Sequence, residues 1–405
     1  LVINDGSNNI VISNAITGGQ MGGLISYRNQ SLMPAQRALD RLSLSVMDEM
    51  NDQNSLGVNL YGNLGGNIFQ DINSTSLVTN RAISYPTNTG SEQITVDITD
   101  TKALTTSDYM LTFDTASHYI LTRKSDNSTV STGNIVAIPA AISVDGFSIN
   151  INSGTIAAGD HYTISPTRSA ANTMSVIMSD PKQLALAWPV TAVSSSTNSG
   201  AGKVEVTSVY DTTNPIFTTP GQLTPPLLIR FTSSSSYEIV NATTNAVIQT
   251  AIPYNSSTST GTVVFPTPAP TSYDPGFTVK LSGEIMAGDT FALNYNSTNT
   301  ADNRNGLAME ALFNAANVDN SLSFSSAYHA LTIDISTITN RAKIDLDSSK
   351  ALLNSAKQRF GSISGVNVTE EMVGLSRYQQ AYQASAQIIQ VAKALFETVI
   401  GIARG

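Results

Sequence analysis

From Leu32 to Asn54 the apolar residues Leu32, Ala35, Leu39, Leu42, Val46 and Met50 fall three and four apart, as on one stripe of a helix. Pro34 falls in the first turn, where a missing N–H costs nothing. Before this helix, "LVINDGSNNIV" alternates like a strand and "GGQMGG" (Gly18 to Gly23) reads as a flexible turn. After it, the glycines and asparagines of "LGVNLYGNLGGNIF" mark turns, and the period changes to two. From Ser74 to Thr300 short alternating segments rich in Ser, Thr and Asn are separated by turn residues, the texture of a β-sandwich or barrel.

Two parts of this β region match. "LTFDTASHYIL" (Leu111 to Leu121) and "IRFTSSSSYEI" (Ile229 to Ile239) share a Phe, five residues, then a Tyr. "DGFSININSGTIAAGDHYTI" (Asp145 to Ile164) and "PGFTVKLSGEIMAGDTFAL" (Pro275 to Leu293) both read as strand, Ala-Gly-Asp turn, strand. Phe147, Ile149 and Ile151 then match Phe277, Val279 and Leu281 on one face, and Tyr162 and Ile164 match Phe291 and Leu293. Because two blocks recur in the same order, the pattern predicts a duplicated β-domain. Between the copies, "SDPKQLALAWP" (Ser179 to Pro189) predicts a short helix capped by Asp180, and "SSSTNSGAG" (Ser194 to Gly202) predicts a linker, with a boundary near residue 190.

Helical spacing returns after "DNRNGLAMEAL". Tyr328, Leu331, Ile335, Ile338, Ala342, Ser349, Leu352 and Ala356 follow a coiled-coil repeat, with Asp345 at one seam position. "GSISG" (Gly361 to Gly365) stops this long helix, and "NVTE" (Asn367 to Glu370) has the spacing of a capping box for the next. From Met372 to Ala392 that last helix carries one charge, Arg377, although a helix facing water normally carries several. Its glutamines can hydrogen-bond to partners without burying a charge, and Ala381, Ala384, Ser385 and Ala386 permit close approach of another backbone. Continued through Leu395, Phe396, Val399 and Ile402, it reaches about 50 Å. The residues expected to carry subunit assembly are Met372, Leu375, Tyr378, Tyr382, Ile388, Ile389, Val391, Leu395, Phe396 and Val399.

The pattern thus predicts an α+β multidomain chain: a long-helix bundle formed by the chain ends, with two inserted, mutually similar all-β domains. The expected division is 1–75 (helical bundle part), 76–189 (first β-domain), 190–300 (second), 301–366 (helical bundle part) and 367–405 (assembly helix).

Composition narrows the function. Charged residues make up 13% of the 405, about half the usual share, and Ser, Thr and Asn fill the gap. A net charge of -9 without a Lys/Arg cluster argues against nucleic acid and against an anionic membrane surface. No apolar run has the length of a membrane span. With zero cysteines there is no disulfide, thiolate nucleophile or Cys-type zinc site. His118, His161 and His329 are far apart and form no metal-binding pair, and the first two sit in predicted strands beside Tyr119 and Tyr162. Asp345 and Asp347 lack the glycine a calcium loop needs, and Glu370 with Glu371 suits the first turn of a helix better than acid–base work. Asn127, Asn241 and Asn255 begin Asn-x-Ser/Thr sequences that Ser/Thr richness explains. No catalytic, cofactor-binding or metal residue is expected.

"SGVNVTEEMVGLSRYQQAYQASAQIIQVAKALFETVIGI" (Ser364 to Ile402) resembles the C-terminal signature of the flagellar hook-associated protein 1 family, the hook–filament junction proteins of bacteria. "DNRNGLAMEALFN" (Asp302 to Asn314), "GGLISYRNQSLMPAQRALDRLSLSVMDEMNDQNSLGVNLYG" (Gly22 to Gly62) and "GDHYTISPT" (Gly159 to Thr167) resemble it too, in the family's order, whereas residues 190–300 match only through the internal repeat. Thr369 stands where the family usually has Asp, which leaves the cap intact.

The resemblance implies a structural, non-enzymatic protein that self-assembles as a ring joining hook to filament, with hook protein and a second junction protein as neighbours. It also implies an export chaperone on the C-terminal region, and an extracellular location reached by type III export without a cleaved signal. In the family both chain ends form coaxial helices around a central channel, and the N-terminal one is missing from this sequence, which is therefore expected to be a fragment. Outside that class, the duplicated β-domains and their Tyr and Asn content leave open a cell-surface adhesin or glycan-binding module, and a wall hydrolase is a third reading.

Overall fold

The computed structural model describes residues 2–4, 9–11, 16, 18–255, 261–267, 272–298, 301–365 and 367–404. They divide into two compact units, residues 1–335 and 336–405.

Strands β1 (Val2–Asn4) and β2 (Asn9–Val11) pair antiparallel, with Val2 opposite Val11. Helix α1 (Gly19–Tyr27) runs through a π turn (Arg28–Leu32) directly into α2 (Met33–Ser55). The glycine-rich stretch expected to be a turn is therefore the start of a helix, with Gly18 as its extended cap. Each interior glycine costs a helix only about 1 kcal/mol, which the run of good formers behind it outweighs. Pro34 lies just after the π turn, where wider winding accommodates its missing N–H.

The face that α2 buries is not the apolar stripe. Leu32 and Leu39 are exposed, whereas Arg37, Asp40, Leu44, Met47, Asn51 and Asn54 are buried. These six also recur every three or four residues, so helical spacing alone could not choose between the stripes. Hydrogen bonds decide. Asp40 Oδ1 accepts the N–H of Ala171 at 2.9 Å. Asn51 Oδ1 accepts those of Ile68 and Phe69 at 2.8 and 2.9 Å, while its Nδ2 donates back to Phe69 O. Asn54 Oδ1 accepts from Ala185 N and its Nδ2 donates to Gly66 O. Loops with no strand partner find their donors and acceptors on this helix.

The first β-domain follows α3 (Thr75–Asn80). Its strands are β3 (Ala82–Ser84), β4 (Gln93–Ile98), β5 (Tyr109–Phe113), β6 (His118–Arg123), β7 (Thr129–Asn134), β8 (Ala140–Val144), β9 (Phe147–Ser153) and β10 (His161–Ile164). They form two sheets, β3-β10-β5-β6-β7 and β4-β9-β8. After α4 (Ala170–Thr173) and a short 3-10 turn capped by Asp180, the order repeats in β11 (Val190–Ser194), β12 (Lys203–Val209), β13 (Leu227–Ser233), β14 (Ser236–Asn241), β15 (Val247–Pro253), β16 (Thr262–Phe265), β17 (Phe277–Ser282) and β18 (Thr290–Tyr295). The sheets are β11-β18-β13-β14-β15 and β12-β17-β16, the same topology strand for strand. Phe147, Ile149 and Ile151 in one copy and Phe277, Val279 and Leu281 in the other are fully buried, each set in its own core. The shared Phe and Tyr are cross-strand partners, Phe113 opposite Tyr119 and Phe231 opposite Tyr237.

The Ser194–Gly202 segment, expected to be a linker, is a fixed loop inside the second domain. Asn198 and Thr290 exchange two hydrogen bonds, and Asp289 accepts the N–H groups of Ser199 and Gly200. A Cβ at Gly200 would lie 2.5 Å from Glu284 O, and one at Gly202 2.7 Å from Ile285 Cγ1. Its glycines serve close approach, not flexibility.

Helix α5 (Arg304–Leu312) packs on α2, where Asn305 donates to Gln53 O and Ala185 O and accepts from Gln53 Nε2. Helix α6 (Phe324–Ser364) starts in the first unit and continues into the second, and helix α7 (Val368–Ala403) follows.

Candidate assembly helix

Helix α7 starts at Asn367, whose Oδ1 accepts the Thr369 N–H at 3.1 Å, so the cap engages the second helical residue and not the third as a full capping box does. Glu370 and Glu371 occupy the first turn, where the helix dipole favours negative charge. Among the described residues nothing in α7 is buried.

Its apolar residues form two seams. Leu375, Tyr378, Tyr382, Ile389, Phe396 and Val399 follow one heptad line together with Ser385 and Ala392. Ile388, Val391 and Leu395 follow a second, with Ala381, Ala384 and Ile402, and Met372 sits before both near the start. Tyr378 is 78% exposed, Ile388 68% and Phe396 66%. Along the second seam the small Ala384 leaves a shallow hollow of about 480 Å³ bounded by Ile388, Val391 and Leu395. The remaining face carries Gln380, Gln383, Gln387, Gln390 and Glu397. An exposed Lys393–Glu397 pair at 4.0 Å contributes at most a few tenths of a kcal/mol. A helix with two apolar seams can be covered only by neighbours on two sides.

The other candidates stay apart. His118 and His161 open β6 and β10, the first with its Nδ1 2.6 Å from Asp114 and the second bonded to Gly159 O, and His329 lies exposed on α6. Asp345 and Asp347 are exposed on the same helix. Among the described residues no group of three or more His, Asp or Glu could hold a metal ion.

Residues 1–69 match the family model of the flagellar hook-associated protein FlgK helical domain, and 83–166 that of the flagellar hook-associated protein 1 D2-like domain. Residues 357–402, which hold nearly all of α7, match the flagellar basal body rod FlgEFG protein C-terminal model. Flagellar hook-associated protein 1 of Salmonella typhimurium is 23% identical over 384 residues, 95% of this chain and 50% of that protein. The Escherichia coli K12 protein of the same name is 24% identical over 388 residues, 95% of this chain and 49% of its own. The structure of the flagellar hook junction protein FlgK from Burkholderia pseudomallei aligns with a TM-score of 0.71 and 29% identity, over 89% of this chain and 65% of that one. The present chain spans about half the length of the curated relatives it matches.

In its helix-flanked pair of β-domains and its sparsely charged terminal helix the chain is similar to structural proteins of the bacterial flagellum. Within that class it is similar to flagellar hook-associated protein 1.

Proposed function

We propose that the chain is a structural subunit of the flagellum that assembles with copies of itself as a ring between hook and filament and serves as the adaptor on which the filament is built. The observation that carries the reading is α7: thirty-six helical residues with no buried side chain and two apolar seams. Full burial of one such side chain stabilises by about 1.5–3 kcal/mol, against about 4–15 kcal/mol for immobilising a subunit. The six apolar side chains of the first seam can thus offset that cost against one neighbour, and the second seam is left for another, as the two-sided contacts of a ring require.

The names of the relatives support the location at the hook junction. In this reading hook protein and a second junction protein flank the ring, and an export chaperone covers the C-terminal region beforehand. The subunit leaves the cell by type III export without a cleaved signal and does no catalysis.

The test is a strain whose full-length gene lacks residues 367–405. The reading expects hooks without attached filaments and filament protein shed into the medium. Normal filaments in the electron microscope would sink it.

A further inference from the structure

The two β-domains are closed at the same backbone position by arginines from different parts of the chain. In the first, Arg81 immediately precedes β3 and is 1% exposed. Its Nη1 donates to Val96 O on β4 at 3.0 Å and its Nη2 to Ile72 O at 2.6 Å. Val96 pairs with Ile149, and in the second domain Val206 on β12 pairs with Val279, the counterpart of Ile149. Val206 O is thus the counterpart of Val96 O, and it also accepts from an arginine: Nη1 of Arg304, at 3.2 Å.

Arg304 does not come from the matching place. The counterpart of Arg81 follows from the sheet registers: Ala82 pairs with Ile164 and Ala192 with Leu293, so position 81 corresponds to Thr191. The second copy carries a threonine there. The guanidinium arrives instead at the first residue of α5, beyond the end of the β-domain.

Its setting also differs. Arg304 Nη2 donates to Val190 O at 3.4 Å and to Asp302 at 2.8 Å, Nε donates to Asp302 at 2.9 Å, and the group lies 4.4 Å from the ring centre of Trp188. Its side chain is 35% exposed. Arg81 is sealed in; Arg304 is a surface group held by a carboxylate and an indole face.

We propose that Arg304 is a clasp that does for the second β-domain what Arg81 does for the first, so that this domain is complete only when the return segment carrying α5 has docked. The first domain closes with an arginine of its own copy. The second couples its closure to α5 and can be unclasped while the first stays shut.

Hydrogen exchange of the full chain, resolved by segment, tests the clasp. Arg304→Gln is expected to speed exchange in residues 203–209 and 277–282 by about tenfold or more, leaving 93–98 and 147–153 at the original rates. Placing an arginine back in cis by Thr191→Arg in the Arg304→Gln chain is expected to restore protection. Should Arg304→Gln fail to fold, Arg304→Lys keeps a cation beside Asp302 but reaches fewer carbonyls, and an intermediate rate is expected. Unchanged protection in either Arg304 variant overturns the proposal. Asn305→Ala, which loosens α5 from Gln53 and Ala185, is expected to speed exchange in the same two segments, and unchanged protection there also overturns the proposal.

Discussion

Asp160 and Asp289 occupy the same place in the two β-domains, and each carboxylate accepts three backbone N–H groups. Asp160 takes those of Thr89, Gly90 and Ala157, and Asp289 those of Ser199, Gly200 and Met286. Each ties the loop between the domain's first two strands to the turn between its last two. Replacing either by Ala leaves three part-buried backbone donors without their acceptor and is expected to cost about 1–3 kcal/mol. The losses fall in separate domains and should add. The single tryptophan, Trp188, packs against the second core, so its fluorescence transition should shift with Asp289→Ala and much less with Asp160→Ala.

Burial, and then the neighbouring Asp52, raise the Asp48 carboxyl to about 6; Thr101 and Lys102 pull it down and Glu49 pushes it up. A group with a raised folded pKa makes the folded state bind more protons, so its effect on stability is most favourable in acid and is lost as the pH climbs from about 4 to about 6. Asp48→Asn should therefore raise Tm at pH 7.5, by no more than about 3 kcal/mol of stability. The difference from the parent should vanish near pH 4. A constant difference across a Tm series from pH 4 to pH 8 would exclude this assignment.

Asn51→Ala removes both an acceptor and a donor from the loop at Ile68 and Phe69. Three backbone groups lose their partner in a buried seam, for an expected loss of about 2–4 kcal/mol. Urea titration checks it, with the midpoint falling and the slope unchanged.

A Cβ on Gly65 would stand 2.0 Å from the carbonyl oxygen of Asn54. Gly65→Ala cannot be absorbed by a side-chain rotation, because both parties are backbone. We expect a Tm loss of several degrees, whereas Gly66→Ala, with open space around it, should be tolerated.

In α7, Ile388→Asp together with Phe396→Asp places a charge on each apolar seam. Incorporation into flagella should stop while the thermal transition of the β-domains stays where it was. Normal motility of such a strain would remove α7 from the assembly role.

The repeat was legible because a strand's period of two and an Ala-Gly-Asp turn survive duplication in Phe147 to Ile164 and Phe277 to Leu293. The exposure of α7 was legible for a different reason: a long helix with hardly any charge needs a cover its own chain does not visibly supply. The buried stripe of α2 was not legible, since Arg37, Asp40, Asn51 and Asn54 look like a solvated face until the loops that need them are in place. Nor was Ser194–Gly202, where Ser and Gly read as slack and instead fit a tight loop against Asp289. Arg304 was missed because its partner carbonyls belong to residues about a hundred positions away.

The hydrogen-bonded stripe of α2 has a last consequence. Greasy surfaces slide: an apolar helix can shift by a turn and still find methyl groups to touch. Asp40, Asn51 and Asn54 each answer one particular amide, at Ala171, at Ile68 and Phe69, and at Ala185, so a shift by one turn leaves all of them unanswered at once. The helix fits its loops as a cut key fits a lock, and the loops at 68–69, 171 and 185 are held in one register along it.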